Sequence, residues 1–142
     1  MIDEPMRRGD GVADTEQAAP PPLRPVTYVE INSPDLAKSA AFFESVFGWN
    51  LHAFAAPDYL VASTDGAPGV DAGLMPSRDG TPRTVPVVRV DDLAQALDAV
   101  RSGGGTQVLP AFVITGVGRG CYVTDPAGVL LGLHEYDPNA GL

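Results

Sequence analysis

Five polar residues on strand-like stretches could meet in one pocket: Tyr28, Glu30, Asp71, Arg89 and His134. Tyr28 and Glu30 fall on one face of Val26–Ile31, with Thr27, Val29 and Ile31 on the other. A desolvated Glu30 carboxylate could move a proton, and His134 near a strand end is a second acid–base candidate. Each has a plainer alternative. Glu30 could form an ion pair with Arg89, and His134 could be an edge or interface residue. Asp71 could face a ligand or satisfy backbone amides near the Gly69 turn. Trp49, Phe54 and Tyr59 could stack on a flat ligand, although helix-to-strand packing explains Trp49 equally well. His52 reads as surface and Cys121 as a small core residue.

An internal repeat supplies the elements that would position these side chains. Asp65-Gly66-Ala67-Pro68-Gly69-Val70-Asp71-Ala72-Gly73-Leu74 shares its turn and its Gly-Val-x-x-Gly-Leu core with Asp125-Pro126-Ala127-Gly128-Val129-Leu130-Leu131-Gly132-Leu133. Asp35-Leu36-Ala37 recurs as Asp92-Leu93-Ala94. Each Asp-Leu-Ala opens a helical pattern and is preceded by a β-branched stretch, Val26–Ile31 and Val85–Val90. Ser33 reads as the first helix cap, with Pro34 in the first helical position. Leu36, Ala40, Phe43 and Phe47 form an apolar face, and Gly48 ends the helix. Strands are expected at Trp49–Phe54, Tyr59–Ser63 and Val70–Met75. Asp91 or Asp92 caps the second helix, whose apolar face is Leu93, Leu97 and Val100. Strands follow at Thr106–Leu109, Phe112–Thr115, Gly120–Thr124 and Val129–Glu135.

The pattern is βαβββ twice, an α+β fold whose two modules, residues 26–76 and 84–137, form a curved, barrel-like sheet. Pairing of their concave faces would leave a cavity between them. Residues 1–25 read as a disordered tail with a stiff proline end, and 138–142 as a second tail.

The chain has 142 residues, 44% of them hydrophobic, which is enough for one domain with a real core. Its net charge of −9 argues against nucleic acid and anionic membrane surfaces. It mildly favours cationic or neutral small ligands. No apolar run reaches the length of a membrane span, and none follows Arg7-Arg8 as a secretory signal would. A single cysteine excludes an internal disulfide framework, and the cytoplasm is the default compartment. Gly116-Val117-Gly118-Arg119-Gly120 precedes a strand and not a helix. It therefore reads as a hairpin loop from which Arg119 could reach the cavity mouth, not as a phosphate site. Ser63-Thr64-Asp65 and Ser77-Arg78-Asp79 lack the histidine and elbow of a hydrolase triad.

Phe42-Phe43-x-x-Val46-Phe47-Gly48-Trp49 and Gly120-Cys121-Tyr122-Val123-Thr124-Asp125-Pro126-Ala127-Gly128 resemble motifs of the vicinal oxygen chelate superfamily. That superfamily includes glyoxalases, bleomycin-resistance proteins and extradiol dioxygenases, and the resemblance spans residues 26–137. Its metal-dependent members take His or Glu ligands from the first and last strand of each module. The corresponding positions here are Tyr28, Val85, Gly73 and Gly132, so no metal ligand and no cofactor is expected. A two-residue shift in the correspondence would bring in Glu30, Asp71 and His134. The resemblance therefore implies a metal-lacking, glyoxalase-like protein, and by analogy a homodimer. The expected function is small-molecule binding in the cavity by Tyr28, Trp49, Tyr59, Asp71, Gly73, Arg89 and Gly132. The alternatives are a metal-independent isomerase, lyase or cyclase using Glu30 or His134, and then a metal-dependent lyase or dioxygenase.

Overall fold

The computed structural model describes residues 21–142. Nine strands join in one strongly curled sheet, a half-barrel with two helices on its convex side. The first module runs β1 (Val26–Ser33), α1 (Leu36–Phe47), β2 (His52–Phe54), β3 (Ala56–Ala62) and β4 (Asp71–Pro76). The second runs β5 (Arg83–Val90), α2 (Leu93–Ser102), β6 (Thr106–Gln107), β7 (Phe112–Ile114), β8 (Gly118–Thr124) and β9 (Leu130–Tyr136). The sheet order is β2-β3-β4-β1-β5-β9-β8-β6, with β7 also on β8. Within each module the first and last strands are parallel neighbours, β1 with β4 and β5 with β9. The helix supplies the crossover that a parallel pair requires.

The modules join edge to edge through antiparallel β1 and β5, not face to face. Edge joining pairs two strands that would otherwise expose open backbone groups, and the curl of one continuous sheet then makes the concavity.

Both helices start at the aspartate of the repeated triplet. Asp35 accepts from the Lys38 N–H at 3.1 Å, and Asp92 from the Gln95 N–H at 3.0 Å. Ser33 is therefore not the cap; its hydroxyl, two residues earlier, accepts from the Asp35 N–H at 3.0 Å. Gly48 ends α1 in the left-handed region at φ 71° and donates to Glu44 O.

Several expected boundaries move by one to three residues. The second strand starts at His52 and not Trp49, and β3 starts at Ala56 and not Tyr59, because Ala55, at φ 67°, makes a tight corner between them. β8 starts at Gly118, so the expected glycine loop is largely strand. The end of the chain is not a loose tail. Gly116 donates to Ala140 O and Asp137 to Val117 O, which folds the terminus over the β7–β8 turn and buries Ala140 completely. Of the predicted N-terminal tail, residues 1–20 lie outside the described residues. Pro25 accepts from the Arg89 N–H at 2.8 Å, and Arg24 pairs with Asp91 at 2.8 Å.

The main core lies under α2, where Leu93 and Leu97 pack with Val90, Cys121, Val123 and Leu133. Cys121 is a core residue as expected, donating to Leu109 O at 3.1 Å. α1 has no buried residue: Phe42, Val46 and Phe47 of its aromatic end are each more than half exposed.

Candidate functional site

The concave face encloses a cavity of about 520 Å³. Strand alternation places its walls: Tyr28 and Glu30 from β1, Tyr59 and Val61 from β3, Asp71 from β4, Val87 and Arg89 from β5, Tyr122 from β8, and Gly132 and His134 from β9. Phe54 and Phe112 close the sides. Most of the wall is carbon, with polar groups in two clusters.

The first cluster centres on Glu30. Tyr59 donates its hydroxyl to one carboxylate oxygen at 3.0 Å, and Tyr122 donates to the other. Tyr28 and Tyr59 hydroxyls are 2.8 Å apart. The Tyr59 proton is committed to Glu30, so Tyr28 is the donor and its own oxygen keeps free lone pairs. The phenols stay protonated at neutral pH. Burial pushes Tyr28 up to about 12. Burial and then the Glu30 charge raise both Tyr59 and Tyr122.

The expected Glu30–Arg89 ion pair is absent, because the neighbours of Glu30 across the β1–β5 and β1–β4 pairings are Val85 and Gly73. Tyr122, 92 residues from Glu30 in sequence, takes the place assigned to Arg89. Sequence reasoning missed Tyr122, although its alternation with the core residues Cys121 and Val123 was the available signal.

The second cluster is cationic. Arg89 and His134 are register partners on β5 and β9. The Arg89 guanidinium lies 5.1 Å from the Tyr136 ring centre. Burial first, then the Arg89 charge, lowers the His134 pKa, with Glu135 opposing. Gly118 lies close to Glu135 and His134: a Cβ there would collide first with the Glu135 carbonyl oxygen and would come 3.0 Å from His134 Nε2. Asp71 lines the cavity and accepts from the Thr64 N–H at 2.9 Å.

Several expected positions land elsewhere. Trp49 is outside the cavity, tilted against Phe43 at 4.9 Å between ring centres, as helix-to-strand packing requires. Gly73 is not open space for a ligand. A Cβ on it would collide with the hydroxyls of Tyr28 and Tyr59, which occupy that volume. Gly132 does border the cavity. Arg119 does not reach it, being held by Glu135 at 2.7 Å and Asp137 at 3.0 Å.

A resident metal does not fit the donor set. Gly73 and Gly132 offer no side-chain donor, Val85 is buried hydrocarbon, and the Tyr28 proton is spent on Tyr59. Among the described residues no three His, Cys, Asp or Glu side chains converge.

Comparison with known proteins agrees with this architecture. Residues 26–133 match the pattern of a family described as the Glyoxalase/Bleomycin resistance protein/Dioxygenase superfamily. "Putative glyoxylase CFP32" of Mycobacterium bovis and of Mycobacterium tuberculosis is 30% identical over 123 residues, 80% of this chain. The match covers 46% of the relative, so the chain spans about half its length. Methylmalonyl-CoA epimerase from Mycobacterium tuberculosis superposes with a TM-score of 0.62 at 22% identity, covering 79% of this chain and 87% of that one. The Mn(II)-bound glyoxalase from Novosphingobium aromaticivorans gives 0.57 at 24% identity, covering 84% and 42%. At these identities the two structures share the fold alone with this chain.

Proposed function

This chain belongs to the Glyoxalase/Bleomycin resistance protein/Dioxygenase superfamily, and on that premise we propose that it binds a small, largely apolar organic molecule in the half-barrel without a metal ion. One observation carries the reading: a carboxylate, Glu30, is held by two tyrosine hydroxyls at the wall of a cavity of about 520 Å³. The cavity is of ordinary ligand size, and the ratio of apolar wall to a few polar anchors is that of a binding site. Glu30 and the faces of Tyr28, Tyr59 and Tyr122 together suit a ligand's ammonium or other hydrogen-bond donor. The shielding of both carboxylate oxygens supports holding a charge over passing a proton.

The test is calorimetry and thermal shift with aromatic amines and quaternary ammonium compounds, before and after chelator treatment. At least one probe should bind with the same affinity in both preparations, and Glu30→Gln should weaken it about tenfold, ~1.4 kcal/mol. No binding by any probe to folded protein overturns the proposal. Binding that is lost with chelator and restored by Mn²⁺ overturns its metal-free part.

A second reading, a metal-independent isomerase, lyase or cyclase, is favoured by the hydrogen-bonded line from Tyr28 through Tyr59 to Glu30. Under it, an activated C–H of a bound carbonyl compound exchanges into D₂O, and both Glu30→Gln and His134→Asn abolish the exchange while leaving the fold intact. Unchanged exchange in both variants removes their assigned roles.

A further inference from the structure

The two polar clusters lie at different levels of the cavity and carry opposite charge. Glu30 is level with Val85 on β5. Arg89 lies four residues further along the same face of β5, about 13 Å of strand away. Between them the wall carries Val87 and Gly132, with Tyr28, Asp71 and Tyr122 at the same level.

Arg89 also differs from most arginines among the described residues. Arg24, Arg83, Arg101 and Arg119 each pair with an aspartate or glutamate within 3.0 Å. Arg89 has no acidic partner among the described residues, and neither does Arg78, which is exposed. Arg89 is half-buried, faces the cavity, and is backed by the Tyr136 ring and His134. A guanidinium removed from water without a carboxylate leaves unmet hydrogen-bond capacity. In a protein of net charge −9 this is a local reversal of sign, at one end of the half-barrel cavity.

We propose that Arg89 and His134 form an anion subsite, so that the ligand is amphoteric: an apolar body with a carboxylate-like group at the Arg89–His134 end and a cationic or hydrogen-bond-donating group at the Glu30 end. The inference rests on the binding reading above and adds the ligand's second pole. A planar guanidinium takes a carboxylate through two parallel hydrogen bonds, and the neighbouring imidazole adds a third donor. A mono-cation fills only half of this arrangement and leaves Arg89 unpartnered.

Four probes built on one benzene ring test it by calorimetry: 4-phenylbutyrate, its neutral amide 4-phenylbutyramide, 4-phenylbutylamine, and the zwitterion 4-(2-aminoethyl)benzoate. The zwitterion should bind at least tenfold tighter than either singly charged probe, and the acid at least tenfold tighter than its amide. Arg89→Gln should erase the acid-over-amide preference while 4-phenylbutylamine keeps its affinity. Arg89→Lys should restore part of the preference, and His134→Gln should lower it in a protein whose circular dichroism is unchanged. If the amine and the amide bind but the acid has no advantage, or if Arg89→Gln in folded protein leaves that advantage intact, the anion subsite is overturned and the binding reading stands. If none of the four binds, both fall.

Discussion

The two modules share one strand-and-helix frame and fill it differently. In the second, Leu93 and Leu97 of α2 enter a buried cluster with Val90, Cys121, Val123 and Leu133. In the first, Leu36 occupies the position equivalent to Leu93, yet α1 buries no residue. The difference on the concave side runs the other way. The first module supplies Tyr28, Glu30, Tyr59 and Asp71, whereas the second supplies mainly hydrocarbon, plus Tyr122 and the Arg89–His134 pair. The larger buried apolar cluster thus lies in the second copy, and more of the polar side chains on the cavity wall come from the first. A duplicated frame allows this because strand alternation fixes which positions face the cavity but not which side chains stand there.

The largest expected effect tests the packing half of that contrast. Leu93→Ala should cost about 2–5 kcal/mol, because it opens a cavity in a packed core. Leu36→Ala should cost less than half as much, and urea unfolding compares the two. Equal losses would mean that α1 is as firmly seated as α2.

The glycines at the ends of the repeat give the next. Gly73→Ala forces the Tyr28 and Tyr59 hydroxyls apart and should cost about 1–3 kcal/mol. At Gly132 the new methyl meets a Val87 methyl at 3.1 Å and Tyr122 at 3.6 Å. Its cost should stay under about 1 kcal/mol, and thermal unfolding orders the pair.

Where the modules agree, the variants should agree too. Asp35→Ala and Asp92→Ala remove equivalent caps and should each cost about 1 kcal/mol. A difference above the error of chemical unfolding would show that the α1 start is already loose.

The smallest effect is a pH dependence at the Arg89–His134 end. The folded His134 pKa lies below its ordinary 6.5, so the unfolded chain takes up the proton first. Its stability contribution is complete above pH 6.5 and is lost as pH falls through the folded value. Unfolding midpoints between pH 7.5 and 5 should therefore drop less in His134→Gln than in the parent protein. An equal drop would place the titration elsewhere.

Much of the frame was legible in the sequence. The Asp-Leu-Ala triplets mark both helix starts, and Gly48 marks an end, because caps act within four residues. The turn before the last strand is equally local: Asp125 accepts from the N–H groups of Ala127 and Val129, both at 2.8 Å. Parity puts Tyr28, Glu30, Asp71, Arg89 and His134 on one face of the sheet, and all five line the cavity. Less was legible in who touches whom. Trp49 fits either of two packings by composition and takes the one against Phe43. Gly73 reads as empty space until the tyrosine hydroxyls that fill it are located.

What the sequence by itself determined, then, is a duplicated βαβββ chain with a known set of polar side chains on one face. Local hydrogen bonding and strand alternation act between near neighbours, and so they leave a trace in the order of residues. Only the tertiary structure decided that the modules join through β1 and β5, that Glu30 is held by Tyr59 and Tyr122, and that Arg89 faces the cavity without a carboxylate. Those outcomes depend on the curl of the whole sheet, which brings β8 across from β1. Curl is the summed twist of nine strands and has no signature in any one of them.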